Sequence, residues 1–197
     1  MNRRSIPWIL AILVLAGLGV DRAVRTPAER GAPPAPRPAY PPFSVTTSSG
    51  TLDLADLRGK ATVVYFGYTA CADICPTTLA NVGAALRRLP QPALERTAGL
   101  FVSVDPGRDT PENLARYARF FHPRLRAGTA DPDRLAEITE DWGVFFRKVG
   151  GDSALGYMVD HSTQAFLLDP EGRMVEQLPH GTPPSDIRAA IERVLAP

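Results

Sequence analysis

Ala61-Thr62-Val63-Val64-Tyr65-Phe66-Gly67-Tyr68-Thr69-Ala70-Cys71-Ala72-Asp73-Ile74-Cys75-Pro76 is the stretch on which the fold turns. Its first seven residues form a near-continuous apolar run, the pattern of a strand buried on both faces. Pro76 suits the first turn of a helix, where a missing N–H costs nothing. Between strand and helix stand Cys71 and Cys75, the only two cysteines in the chain. A Cys-x-x-x-Cys spacing at a helix start brings two sulfurs close enough to share a metal or close a small disulfide ring. With Cys75 as N-cap and Pro76 as first helical residue, the positive end of the helix dipole favours the Cys75 thiolate.

Outward from this stretch, short β segments are expected at 43–47 and 51–54, with a turn at Arg58-Gly59-Lys60 before the strand. The helix runs from Pro76 to about Leu89, with Leu79, Val82, Leu86 and Leu89 on one stripe. Leu100 to Val104 reads as a second buried strand. A helix capped by Thr110 follows from Pro111, and another covers about 132–142. Val144 to Lys148 is a candidate strand. The end changes pattern: Thr163–Leu168 and Arg173–Leu178 flank the turn Asp169-Pro170-Glu171-Gly172 as an antiparallel hairpin, before a helix from Pro184 to Leu195. The βαβα succession calls for parallel strands with right-handed crossovers, and the added hairpin and helix make the order that of a thioredoxin-like α/β domain with a central mixed sheet. In that fold a redox motif follows the first central strand, where the two cysteines stand.

The 197 residues suffice for one domain and a short appendage. A net charge of +1 offers no basic face to nucleic acid. At the N-terminus, Arg3 and Arg4 precede the uncharged run Ile6–Val20, and charge returns at Asp21 and Arg22. Residues 1–20 therefore read as a signal anchor or signal sequence with its basic end in the cytoplasm. Anchoring is the favoured form, because Gly17-Leu18-Gly19 is a poor cleavage site. Residues 21–42 hold seven of the 20 prolines and read as an extended spacer between the bilayer and a domain spanning 43–197. The expected location is membrane-anchored, with the domain on the periplasmic side.

Donors for a metal are few. His161, in Tyr157-Met158-Val159-Asp160-His161-Ser162-Thr163, is expected in a loop leading into the terminal hairpin. That loop packs beside the dithiol in a thioredoxin-like domain and puts the imidazole within reach of both sulfurs. Two thiolates and an imidazole suit Cu(I), and Cu(II) with an added oxygen ligand, whereas structural zinc wants a fourth protein ligand. A plain structural disulfide is the bland alternative for the cysteines, and a surface or core position for a lone histidine. His122 reads as a helix C-cap favoured by the dipole, His180 as solvated, and Met158 as packing. Asp105-Pro106-Gly107-Arg108-Asp109-Thr110-Pro111 is explained largely by a tight turn and an N-cap.

Three segments carry a resemblance: Tyr65-Phe66-Gly67-Tyr68-Thr69-x-Cys71-x-Asp73-x-Cys75-Pro76, Val102-Ser103-Val104-Asp105-Pro106-x-Arg108-Asp109-Thr110-Pro111, and Val159-Asp160-His161-Ser162 with Asp169-Pro170-x-Gly172 after it. From about residue 43 to the end the chain resembles the Sco/SenC family of copper-binding thioredoxin-like proteins. The resemblance implies copper held by Cys71, Cys75 and His161, with Asp160 shaping the histidine loop. It also implies assembly of the dinuclear copper centre of cytochrome c oxidase from the outer side of the membrane. Partners so implied are the oxidase's copper-containing subunit, a copper donor protein and a thiol reductant. The chain departs from the family pattern at Ala70, often His, and Ala72, often Pro; neither is a ligand.

Two activities compete on this reading. A metallochaperone takes copper on reduced cysteines and passes it on by ligand exchange; a thiol-disulfide oxidoreductase uses Cys71 and Cys75 as a redox-active pair to reduce its target's cysteines. The extra residue relative to Cys-x-x-Cys and the presence of His161 favour the first.

Overall fold

Ala61–Gly67 forms β3, the middle strand of a five-stranded sheet, and all seven of its residues are buried. The computed structural model describes residues 40–153 and 156–196. Within them β1 (Ser44–Thr47) and β2 (Gly50–Asp53) make a small hairpin, and β3 leads to α1 (Ile74–Arg87), the short α2 (Gln91–Glu95) and β4 (Thr97–Ser103). Then come α3 (Pro111–Phe121), β5 (Leu125–Gly128), α4 (Pro132–Asp141), β6 (Phe146–Ser153), β7 (Gly156–His161), β8 (Ala165–Leu168), β9 (Met174–Leu178) and α5 (Pro184–Leu195). The expected anchor over 1–20 and nearly all of the expected spacer over 21–42 lie outside the described residues. Among the described residues no helix is long and apolar enough to cross a membrane.

The sheet order is β5-β4-β3-β8-β9. β3 and β4 pair in parallel from Ala61↔Thr97 to Gly67↔Ser103, β5 continues in parallel, and β8 pairs antiparallel to β3 from Thr62↔Leu168 to Tyr65↔Ala165. This is the thioredoxin-like mixed sheet. Strand alternation divides β3 between two layers. Tyr65 stacks on its register partner Phe101 at 6.0 Å between ring centroids, with Tyr117 of α3 beyond it at 5.7 Å. Phe66 points the other way, into a cluster with Phe43, Trp142 and Phe166 at 5.6 to 6.2 Å. Because β3, β4 and β5 run the same way, the loops after β3 and β4 emerge at one edge of the sheet, where open α/β sheets place their ligands.

The helix bounds carry a correction. α1 begins at Ile74 with Asp73 as N-cap, so Cys75 is a fully buried helical residue rather than the cap. Its N–H is satisfied by the sulfur of Cys71 at 3.4 Å, and Pro76, in the first turn, has no N–H to leave orphaned. Thr110 caps α3 as expected, its hydroxyl accepting from the Asn113 N–H at 3.3 Å. The candidate strand at 144–148 is half of something larger. β6 and β7 form their own two-stranded sheet, registered from Phe146↔His161 to Val149↔Met158 and, past a shift, at Ser153↔Gly156. Gly150 and Gly156, with φ of 76° and 71°, supply backbone conformations that other residues rarely adopt, and their presence masks the strand pattern.

Candidate metal centre

Cys71, Cys75 and His161 converge at that edge: one ligand atom from each lies within 4.8 Å of the other two. Both cysteines are free thiols, Cys71 half-buried and Cys75 buried. Cys71 comes from the loop after β3 and Cys75 from the first turn of α1. His161 is the last residue of β7, not part of a loop as expected from the sequence. Its Nε2 is 3.3 Å from the Cys75 sulfur, and its Nδ1 is 2.7 Å from the Ser162 carbonyl. A carbonyl can only accept, so Nδ1 carries the proton and the Nε2 lone pair faces the sulfurs, the orientation a metal needs.

The two thiols differ in character. Cys71 is held well below the usual thiol range, chiefly by the hydrogen bond from the Cys75 side chain and further by the Cys75 and Asp73 N–H groups, against the opposing effect of burial. Cys75 is pushed far up by that same shared proton and by burial. The favoured thiolate is thus Cys71, where the sequence pointed to Cys75: its sulfur accepts from the Cys75 side chain and, at 3.4 Å, from the Cys75 N–H in the first turn of α1. Without metal the pair carries one negative charge between two sulfurs.

Aromatic and backbone groups enclose the sulfurs. Tyr65 donates its hydroxyl hydrogen to the Cys75 sulfur at 3.6 Å, and burial holds that phenol protonated. The rings of Tyr65 and Tyr68 meet His161 edge to face at 6.3 and 5.8 Å. Gly67 is required for space: a Cβ there would come within 2.7 Å of the Cys75 sulfur. On the solvent side a cavity of about 410 Å³ opens between Cys71, Ile74, Tyr68, Met158 and His161.

Alternation along β7 sorts its side chains. Val159 is buried and Tyr157 and His161 are half-buried, whereas Met158 and Asp160 are exposed. Met158, expected as packing, is 57% exposed on the cavity rim. Asp160 pairs with Arg147 across the hairpin at 3.4 Å, a contact that ties the histidine segment to β6. His122 does end α3 but is buried, and its Nδ1 accepts from the Arg124 N–H at 3.1 Å; burial first, then Arg87 and Arg124, lowers its pKa, which opposes the charged cap expected. His180 is exposed as expected and also lies 3.0 Å from the Thr78 hydroxyl.

The turn Asp105–Asp109 does more than reverse the chain. Asp109 is buried and accepts from the Thr69 N–H at 3.0 Å, the Thr69 hydroxyl at 2.5 Å and the Ser103 hydroxyl at 2.5 Å, so it ties down the segment entering Cys71. Asp105, also buried, accepts from Arg108 Nε at 2.5 Å and from the Tyr157 hydroxyl at 2.6 Å. Neither link was legible beforehand, since Asp105 and Tyr157 stand 52 residues apart with no periodicity joining them.

Two sulfurs and one imidazole form a soft donor set. Bonds of roughly 2.0 to 2.3 Å from one ion span at most about 4.6 Å between donors, close to the spread found here. Among the described residues no carboxylate joins the group, which leaves zinc short of its usual fourth protein ligand.

Comparison with known proteins agrees with this arrangement. The family model described as SCO1/SenC matches residues 32–196. A SCO2-like protein of Rickettsia prowazekii is 36% identical over 137 residues, which are 68% of this chain and 66% of that protein. The mitochondrial SCO2 homologue of Bos taurus is 35% identical over 143 residues, 72% of this chain and 54% of that one. The chain thus spans between about half and two thirds of the length of these curated relatives. The structure of Bradyrhizobium japonicum ScoI with copper bound is 32% identical and superposes with a TM-score of 0.72 over 80% of this chain and 100% of that chain. With the family model matching every described residue, this chain belongs to the SCO1/SenC family.

Proposed function

We propose that this protein is a copper metallochaperone: it holds one copper ion on Cys71, Cys75 and His161 and supports assembly of the copper centre of cytochrome c oxidase. The observation that carries the reading is the convergence of those three donors within 4.8 Å, with the histidine tautomer already set to ligate. Copper, as cargo, suits the site because thiolate and imidazole are soft to intermediate donors and three of them satisfy Cu(I). Similarity to the structure of Bradyrhizobium japonicum ScoI with copper bound supports the choice of ion. The partners in this reading are the oxidase's copper-containing subunit, a copper donor protein and a thiol reductant that keeps both cysteines reduced. Residues 1–20 anchor the protein and residues 21–42 hold the 43–197 domain on the periplasmic side of the membrane.

A second reading has its own observation. A half-exposed Cys71 held as thiolate beside a buried, protonated Cys75 is the asymmetry of an attacking and a resolving thiol. The same pair could then reduce the oxidase's cysteines before metal arrives. Oxidase activity in cells separates the two. For a chaperone, His161→Ala and the Cys71→Ser, Cys75→Ser double variant lose assembly alike, and added copper rescues both in part by mass action. Near-normal activity in His161→Ala, with loss confined to the cysteine variants, refutes delivery and leaves reduction.

A further inference from the structure

The β6–β7 hairpin that carries His161 is not hydrogen-bonded into the five-stranded sheet. A lone two-stranded hairpin is marginal in water, so its position depends on how it is fastened to the domain. Most of the side-chain fastenings gather on the loop after β4. Tyr157 donates its hydroxyl hydrogen to Asp105 Oδ1 at 2.6 Å, and Arg108 Nη1 donates to the Tyr157 carbonyl at 2.9 Å. The Arg108 guanidinium lies over the Tyr157 ring at 3.9 Å from its centroid, and Lys148 of β6 lies 4.5 Å from that ring and 4.0 Å from Asp105. Further along, the Val159 N–H donates to the Tyr68 hydroxyl at 3.3 Å.

Building on the copper-site reading, we propose that Asp105, Arg108 and Tyr157 form a latch that positions His161 for the metal. Tyr157, Val159 and His161 share one face of one short strand, so displacement at Tyr157 is carried along the backbone to the imidazole. Asp105 is fully buried, and a buried carboxylate that loses a donor pays heavily, which keeps the latch closed. The same loop reaches the other arm of the site through Asp109 and Thr69. One turn therefore sets the spacing between the cysteine arm and the histidine arm. Its Asp105 half governs the ligand that can let go while the two sulfurs still hold the ion.

Tyr157→Phe is the informative variant, because it removes the hydroxyl and keeps the ring on Arg108. In the reduced, Cu(I)-loaded protein the latch predicts transfer to an excess competing Cu(I) chelator about tenfold faster than in the parent, the size of one lost hydrogen bond to a charged group. In a His161→Ala background the same substitution should leave the rate unchanged, since the latch acts through the imidazole. An unaltered rate in Tyr157→Phe alone, even with a lower melting temperature, overturns the proposal, as does an equal acceleration with His161 absent. A metal-free measurement separates the latch from the copper reading. Amide exchange at Val159 in the reduced protein should quicken about tenfold in Tyr157→Phe. If the parent takes up no Cu(I), the copper reading fails and this arm alone decides: faster exchange supports the latch, unchanged protection overturns it.

Discussion

Replacing Gly67 by alanine places a methyl group where the structure has no room. The new Cβ stands 2.7 Å from the Cys75 sulfur, 3.1 Å from a Phe101 ring carbon and 3.3 Å from a Tyr65 ring carbon. Ordinary contact begins near 3.4 Å, so the sulfur must retreat by about 0.7 Å or the two rings must move. Overpacking of this kind costs about 1 to 3 kcal/mol, and for a domain of this size each kcal/mol lowers the melting temperature by roughly 2 to 4 °C. The metal suffers separately, because metal–ligand bonds tolerate only about 0.2 Å. A displaced Cys75 should weaken Cu(I) binding by at least about tenfold. Gly83→Ala is the control, since its Cβ would come 2.6 Å from the Phe121 carbonyl oxygen, away from the three donors. That variant should also melt lower, partly offset by alanine's better helix propensity, about 1 kcal/mol, while binding Cu(I) like the parent. Calorimetry of the metal-free reduced proteins and chelator competition supply the two readouts. Parent-like copper affinity in Gly67→Ala with lowered stability would refute the claim that this glycine exists to seat the Cys75 sulfur.

Three further outcomes follow from the site and its surroundings. Cys71 should react with iodoacetamide well before Cys75, and its rate should stay high as pH falls below the ordinary thiol value of 9.0, because its folded-state pKa is depressed; a rate that titrates near that value contradicts the assigned thiolate. His122 resists protonation in the fold, so stability it contributes above its ordinary value of 6.5 is lost as pH falls below it, and His122→Gln should flatten that part of a stability–pH curve; identical curves would place the acid sensitivity elsewhere. Oxidation to a Cys71–Cys75 disulfide removes both thiolates, so fully oxidised protein with no titratable thiol should take up no copper, and stoichiometric uptake in that state is incompatible with the site.

The central strand, the dithiol loop and the terminal hairpin were legible because each has a local signature: an apolar run, a cysteine spacing, a turn between alternating segments. His161 could be placed beside the sulfurs only through the fold. Gly150 and Gly156 interrupt the strand pattern, so from sequence the first half of the β6–β7 hairpin reads as a strand and the half that carries His161 as a loop. Pro76 marks a first turn without fixing which of its positions it fills, so the sequence alone puts Cys75 at the cap when it lies inside the helix. The short strand Leu125–Gly128 gives almost no periodic signal and is specified by its parallel pairing with β4. Asp105, Asp109 and Tyr157 read as turn residues and an aromatic because their partners lie far away in sequence, where composition and spacing are silent.

The most direct test of the account is an anaerobic copper titration of the reduced protein, followed by absorption in the sulfur-to-copper charge-transfer region. The account predicts saturation at one copper per chain, a sulfur-to-copper band, and severe weakening on loss of Cys71, Cys75 or His161 individually, since a three-donor site has no spare ligand. Binding of equal strength in His161→Ala and the parent, or saturation without a sulfur-to-copper band, would contradict it.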